Sequence, residues 1–274
     1  MKKQLLIPLS IWVFFMILAV SLGLTVHLFF LFNFFYIGTC VSVGMFLHMK
    51  KIKFARNVVL FAVGLYMSVI LGIINGENMQ IEGFWLFLFN GMFYAAVLHY
   101  AIAKIIGPLF FGRAWCGYAC WTAMVLELLP FKLPRSPRAK YGFLRYLVFA
   151  AALILSLVLF FLKVPVAGNI MLYSFIGGNV LYYVIGIALA FVLKDNRAFC
   201  KYICPITVFL KASSYFAFLR VKNDKTKCIK CDKCKKACPM DVDMTDNSRK
   251  RTNGTECILC LNCIDECPVK ALRV

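Results

Sequence analysis

Long apolar stretches separated by short polar segments fill the first 195 residues of this 274-residue chain. From Gln4 to His48 no side chain carries a formal charge, and 45 residues far exceed the ~20 that cross a hydrocarbon core. Two spans joined by a turn near residues 21–27 therefore fit this run. The run is also longer than the ~7–15 residues of a signal-peptide core, which favours membrane spans. Four further spans are predicted over residues 58–74, 84–106, 146–162 and 171–193.

Basic residues lie at alternate ends of these spans. They precede the first span and follow the second, fourth and sixth, at Lys2, Lys3, Lys50, Lys51, Lys104, Lys194 and Arg197. The opposite connections contain Glu77, Glu82 and a single basic residue, Lys163. Because cytoplasmic segments are enriched in Lys and Arg, we expect both termini and the 107–142 connection on the cytoplasmic side of a prokaryotic membrane.

The overall charge balance agrees with a membrane-embedded chain. Hydrophobic residues make up 62% and charged residues only 16%, against ~25% in soluble domains. A net charge of +19 suggests nucleic-acid binding in a soluble protein. Here the basic residues flank apolar segments, where they fix topology and meet anionic lipid head groups. The expected partner is therefore the lipid bilayer, and no nucleic acid.

The C-terminal segment contains eight cysteines in two copies of Cys-x2-Cys-x2-Cys-x3-Cys-Pro, 29 residues apart. This motif is typical of a ferredoxin that holds two [4Fe–4S] clusters, in which the fourth cysteine of each copy ligates the other cluster. The first predicted ligand set is Cys228, Cys231, Cys234 and Cys267. The second predicted set is Cys257, Cys260, Cys263 and Cys238. Zinc knuckles use separated Cys-x2-Cys pairs and do not fit this spacing.

These features predict a fold in two parts. An all-α polytopic membrane domain of about six helices precedes an α+β ferredoxin domain of the bacterial two-cluster type. The predicted boundaries are 1–106 for four spans, 107–142 for a cytoplasmic connection, 143–222 for two spans and 223–274 for the ferredoxin domain. The apolar cover of that small domain is predicted to consist of Ile229, Val242, Ile258 and Ala271.

A second internal repeat precedes the ferredoxin motif. Arg113-Ala-Trp-Cys116-Gly-Tyr-Ala-Cys120 recurs 84 residues later as Arg197-Ala-Phe-Cys200-Lys-Tyr-Ile-Cys204. On a helix, cysteines four positions apart share one face, so each pair is predicted to present both thiols together. If the repeats face each other, four thiols converge at the membrane edge. Four interpretations fit such a group: a third iron–sulfur cluster, a copper(I) site, redox-active dithiols, or packing of small side chains.

Two ionisable residues inside apolar stretches are further candidates. His99 lies within the fourth predicted span, but neither His27 nor His48 is placed at a similar depth, so a haem with two histidine ligands is not expected. Glu127 lies in an apolar stretch and is predicted to pair with a nearby Arg or Lys.

The sequence from about residue 105 onward resembles the short membrane-bound polyferredoxins of the periplasmic nitrate reductase and methylamine-utilisation systems. Larger relatives of that type include the nitrous-oxide reductase maturation protein and the cytochrome oxidase accessory protein. The resemblance depends on the tandem ferredoxin motifs, on Gly112-Arg113-Ala-Trp115-Cys116-Gly117-Tyr-Ala-Cys120 and on Cys200-Lys-Tyr-Ile-Cys204-Pro205. It implies a cytoplasmic-facing electron carrier that exchanges electrons with a quinone pool or another membrane redox protein.

Two functions are therefore considered. The first is electron transfer between the bilayer and a membrane or cytoplasmic redox partner, without substrate turnover by the chain itself. The alternative is an accessory role in which the paired cysteines reduce or deliver a soft metal, such as copper, to a respiratory enzyme. No nucleotide-binding loop and no nucleophile–base pair is recognisable in the sequence, so no catalytic residue is predicted.

Overall fold

The structure, a computed structural model, describes residues 2–52, 54–93, 96–134, 138–166 and 169–274. Two long helices, α1 (Lys2–Thr25) and α2 (Phe29–Met49), form an antiparallel hairpin with its turn at residues 26–28. The Trp12 indole donates a hydrogen bond to Thr39 Oγ1 at 3.1 Å across this hairpin. The N-terminal apolar run is therefore divided into two helices, as predicted, and both are long and apolar enough to cross a membrane.

The third predicted span is one continuous helix that changes its winding. It begins as α3 (Ala55–Leu65) and continues in π-helical turns over Tyr66–Ile74. The connection after it is buried rather than exposed: Asn78, Met79 and Gln80 have almost no accessible surface. Asn78 donates to Ser174 Oγ at 2.7 Å and accepts from the Gln80 backbone, which partly satisfies the polar groups of a segment placed between helices.

The fourth predicted span is wrong as a single helix. The chain forms α4 (Ile81–Phe89), breaks at 90–93, and resumes as the apolar helix Ala96–Phe111. Asn90-Gly91 ends α4: Gly91 has a φ of +71°, Gly91 N–H bonds to Leu88, and Met92 N–H bonds to Phe87. These two bonds form a Schellman motif, which glycine permits because it has no Cβ. Hydropathy did not reveal the break because neither Asn nor Gly carries charge.

The helix Ala96–Phe111 comprises α5 (Ala96–His99), π-helical turns over Tyr100–Ile106 and α6 (Gly107–Phe111). Two later long helices, α9 (Leu144–Phe161) after a 3₁₀ turn and α10 (Asn169–Leu193), lie within about two residues of their predicted starts and ends. In the described part of the chain, five helices are long and apolar enough to cross a membrane. The shorter helices include α7 (Ala114–Tyr118), α8 (Trp121–Leu126), α11 (Ala198–Tyr202) and α12 (Thr207–Ser214).

The C-terminal domain is small and built on its 29-residue repeat. Strands β1 (Lys222–Asn223) and β2 (Leu272–Arg273) pair antiparallel and close it, while α13 (Lys233–Lys236) and α14 (Asn262–Asp265) are twin short helices. Left-handed backbone recurs at twin positions, with φ of 54° at Lys230 and 50° at Leu259. The two halves therefore share one backbone design.

This domain packs against one end of the helix bundle. Arg56, at the start of α3, donates to the Gly117 carbonyl, and Arg145, at the start of α9, pairs with Glu256 of the C-terminal domain. The last residues of α10 lead directly into Arg197, which is buried at the same end. All candidate cysteines after residue 115 consequently lie near one end of the bundle.

Candidate functional site

Each membrane-proximal cysteine pair straddles the end of a short helix. Cys116 lies in α7 and Cys200 in α11, but both helices end two residues before the second cysteine of the pair. The prediction that each pair occupies one helical face is therefore wrong. Cys120 has an extended backbone, and Pro205 disfavours helical geometry at Cys204.

The four thiols nevertheless come together. In every one of the six possible pairings, the two sulfur groups are near enough to interact electrostatically. Cys116 and Cys200 are buried, and Cys120 and Cys204 are partly buried. The convergence expected from the 84-residue repeat is thus present, although the helices bring it about differently from the prediction. We call Cys116, Cys120, Cys200 and Cys204 the four-thiol group.

Two buried arginines connect the repeats across this group. Arg113 donates to the carbonyl of Cys200 at 3.4 Å, and Arg197 donates to the carbonyl of Cys116 at 2.9 Å. Each arginine also pairs with a carboxylate, Arg113 with Glu256 and Arg197 with Glu127. The pairing expected for Glu127 is therefore confirmed.

A third buried cation lies beside the four-thiol group. Lys104 is only 3% exposed, and its ammonium lies 4.2 Å from the centre of the Trp115 ring. Among the described residues no carboxylate pairs with it, whereas the thiol groups of Cys116, Cys120 and Cys204 interact with it electrostatically. A buried, unpaired ammonium is costly, so negative charge on these sulfurs would stabilise it.

Burial governs the protonation of the free thiols. It raises the pKa of Cys200 to about 11, although Arg197 opposes the shift, and it raises the pKa of Cys204 further because three other thiols lie nearby. Without a bound metal, the thiols of Cys200 and Cys204 are consequently protonated at neutral pH. A soft cation would have to displace these protons, as is usual when a metal binds cysteine.

Seven of the eight ferredoxin cysteines lie in two neighbouring sets. Cys238 of the first motif lies with Cys257, Cys260 and Cys263 of the second, and these sulfurs interact with one another. Cys228 and Cys231 lie near Cys234 at the surface of the domain. Cys267 lies in an apolar cluster that contains Cys234 and also Cys238, Cys257, Cys260 and Cys263. The backbone N–H groups of Val242 and Ala271, which are twins in the repeat, donate to Cys238 Sγ and Cys267 Sγ at 3.4 and 3.3 Å.

The donor atoms of these groups are all cysteine sulfurs. In the described ranges no group of three or more His, Cys, Asp or Glu side chains is arranged to hold a single metal ion. Thiolates are also the ligands that iron–sulfur clusters use. The residues present fit such clusters.

A buried carboxylate joins the ferredoxin domain to the bundle. Glu256 pairs with four cations, namely Arg113, Arg138, Arg145 and Lys211. Burial alone would raise its pKa, but these cations lower it to about 2. The role of Glu256 could not be recognised from the sequence, because an acidic residue directly before Cys257 has no distinctive spacing.

Backbone contacts complete this junction. Arg113 N–H donates to the Cys257 carbonyl at 3.2 Å, and the Tyr118 hydroxyl donates to the Leu259 carbonyl at 2.9 Å. Gly117 lies directly below Ile258, where a Cβ would come within 2.5 Å of the Ile258 carbonyl oxygen. The loop of the second motif is therefore in direct contact with the first cysteine repeat.

The remaining predicted residues have mixed outcomes. Val242, Ile258 and Ala271 are buried as expected, but Ile229 is 61% exposed, so its assignment to the apolar cover is wrong. His99 packs edge-on against the Trp115 ring with 5.0 Å between ring centres, and its Nε2 has no partner among the described residues.

Comparison with known families agrees with this arrangement. Residues 220–268 match a family model described as a 4Fe-4S dicluster domain, and residues 96–137 with 172–223 match one described as a 4Fe-4S binding domain. The second match contains both membrane-proximal cysteine pairs. Together with the long apolar helices, these matches support a membrane iron–sulfur protein with ferredoxin-type domains. Proteins of this class serve electron transport.

Two archaeal proteins are similar to this particular chain. The uncharacterized protein MJ0749 of Methanocaldococcus jannaschii is 26% identical over 182 residues, covering 64% of this chain and 70% of the relative. The uncharacterized protein MJ0750 of the same organism is 30% identical over 164 residues, covering 53% of this chain and 66% of the relative. No solved structure matches the chain significantly.

Proposed function

We propose that this protein passes single electrons between a donor in the bilayer, either quinol or a membrane redox protein, and a redox partner on the cytoplasmic side. The observation that best supports this proposal is the spatial order of the three cysteine groups, which follow one another from the end of the bundle to the protein surface. The four-thiol group adjoins the second ferredoxin motif through Arg113, Gly117 and Tyr118. The first motif, with Cys231 exposed, lies on the surface.

The ligand assignment follows the cysteine groups. Cys257, Cys260, Cys263 and Cys238 are proposed to hold one [4Fe–4S] cluster, in support of which their sulfurs lie together. Cys228, Cys231, Cys234 and Cys267 are proposed to hold the other. Bound clusters would supply the one-electron chemistry, which these side chains lack by themselves.

The four-thiol group is proposed to hold a third iron–sulfur cluster. The matched 4Fe-4S binding domain covers all four cysteines, and the local charge supports an anionic occupant. Arg113 and Arg197 each have a carboxylate partner, whereas Lys104 has none among the described residues. Four thiolates would supply the missing negative charge in a site where an unpaired cation is costly.

The orientation proposed from the sequence also has support. The starts of α3 and α9 and the end of α10 lie at the bundle end that contacts the C-terminal domain. Basic residues are concentrated at this end, which is typical of the cytoplasmic side. We therefore propose that the ferredoxin domain and both termini are cytoplasmic.

Iron analysis of the full-length protein tests this function. After anaerobic reconstitution in detergent, three clusters correspond to about twelve irons per chain. Electron paramagnetic resonance during a redox titration should then show signals from reduced [4Fe–4S] centres. Fewer than about eight irons per chain, or iron that no titration reduces, would contradict the proposal.

A further inference from the structure

The ferredoxin domain has two equivalent loops, one in each half of the repeat. Residues 228–230 correspond to residues 257–259, and the backbone follows the same course in both, with left-handed conformations at Lys230 and Leu259. A second left-handed pair, Asp232 and Leu261, begins the twin helices α13 and α14. A surface shaped to dock on the backbone of one loop would therefore also fit the backbone of the other loop.

The second loop is already covered by another segment of the same chain. Its Cys257 and Leu259 carbonyls accept bonds from Arg113 and Tyr118, and Ile258 is 2% exposed beneath Gly117. The first loop has the opposite environment. In the described part of the chain nothing bonds to the carbonyls of residues 228–230, and Ile229 is 61% exposed.

The two loops also differ in charge. Residues 222–236 contain two acidic residues, Asp224 and Asp232, and seven lysines. Every one of these lysines is exposed. Those lysines are Lys222, Lys225, Lys227, Lys230, Lys233, Lys235 and Lys236. The corresponding stretch, residues 251–265, contains Arg251, Glu256 and Asp265 as its only charges. We call the exposed surface of residues 225–236, with Ile229 at its centre, the lysine face.

The lysine face makes no polar contact with the bundle in the described part of the chain. No described residue before Arg220 forms a hydrogen bond or ion pair with residues 224–236, whereas residues 113–118 hold the second loop. A lipid surface next to the bundle end would therefore meet the second half of the domain first. A second copy of the chain would present the same positive charge and be repelled.

We propose that the lysine face is the docking surface for an acidic, water-soluble electron-transfer protein. The proposal rests on the proposed function, since it assigns the partner of the surface-exposed cysteine group. The partner's carboxylates would surround Ile229 and face the lysines, while its redox group approaches Cys228 and Cys231. Complementary charge of this kind raises association rates and selects the partner more than it raises affinity.

The test uses flavodoxin, a small acidic flavoprotein, as the probe. Full-length holoprotein in phosphatidylcholine nanodiscs is assayed for flavodoxin binding and, after reduction, for the rate at which it gives one electron to the oxidised flavin. The variant Lys233→Glu/Lys236→Glu is compared with Lys140→Glu/Lys250→Glu, which reverses two exposed lysines elsewhere. At low salt we expect about tenfold weaker binding and slower transfer in the first variant, with the difference lost at ~0.5 M salt.

The proposal would be overturned by the absence of flavodoxin binding to the unchanged protein at low salt, by equal losses in both variants, or by a loss that salt does not remove. If the face instead meets lipid, the first variant would differ only in discs that contain phosphatidylglycerol, which would also overturn it. Binding is measured without electron transfer, and iron content is measured separately. Loss of iron in every protein would therefore count against the proposed function and leave the docking result readable.

Discussion

The guanidinium of Arg197 donates a hydrogen bond to the carbonyl of Cys116, 81 residues earlier in the chain, at 2.9 Å. Arg113, the equivalent residue of the other repeat, makes the reciprocal bond to the carbonyl of Cys200. Each repeat therefore fixes the cysteine loop of the other. This reciprocity explains how two segments separated by α9 and α10 form a single four-thiol group.

Cys200→Ser is predicted to reduce iron content from about twelve to about eight per chain, because one thiolate of the four-thiol group is lost. Iron analysis and the intensity of the paramagnetic signals measure this change. Cys40→Ser is the matched control, since Cys40 lies alone in α2. Unchanged iron together with lost copper binding would instead support the metal-delivery alternative.

Glu256→Gln is predicted to destabilise the junction between the ferredoxin domain and the bundle. The substitution leaves Arg113 and Arg145, both nearly inaccessible, without their shared counter-charge. Removing one partner of a buried ion pair lowers the free energy of unfolding by about 3–5 kcal/mol. Chemical denaturation in detergent measures the loss. Glu266→Gln, at an exposed position in the same domain, should change stability by less than about 0.5 kcal/mol.

The contribution of Glu256 is also predicted to depend on pH. Its pKa in the folded protein is about 2, below the ordinary value of 4.5, so the unfolded chain binds the proton more readily. The stabilisation is therefore complete above pH 4.5 and is lost as the pH falls from 4.5 towards 2. The difference in unfolding free energy between the unchanged protein and Glu256→Gln should shrink over that interval. A difference that stays constant down to pH 2 would contradict the assigned role.

The cysteine repeats indicated which thiols lie near one another better than the apolar pattern indicated the helices. The assignment of these thiols as cluster ligands stays a prediction. The repeats did not reveal that α7 and α11 end within each pair, because backbone geometry at Cys120 depends on packing. The break at Asn90-Gly91 escaped detection for a different reason: neither residue lowers hydropathy enough to interrupt an apolar run. Ile229 and Ile258 occupy identical motif positions, and only tertiary contact distinguishes them.

Gly117→Ala is predicted to loosen the contact between α7 and the second ferredoxin loop. The added Cβ would lie 2.5 Å from the Ile258 carbonyl oxygen, so one of the two backbones has to move. Overpacking of this kind costs about 1–3 kcal/mol. Gly177→Ala in α10 is the control, since its Cβ would meet nothing within 4 Å. Thermal unfolding followed by cluster absorbance should separate the two variants, and equal stability would show that the contact is dispensable.

Lys104→Met is predicted to make the reduction potential of the centre at the four-thiol group more negative. An ammonium buried beside Cys116, Cys120 and Cys204 favours the form with more negative charge, which is the reduced form. Its removal should shift the midpoint potential by on the order of tens of millivolts, as Coulomb's law gives for a unit charge in a partly polar interior. A redox titration followed by electron paramagnetic resonance measures the shift, and Lys140→Met, at an exposed lysine, is the control. A shift in the opposite direction, or one shared by both variants, would remove Lys104 from the electrostatics of this site.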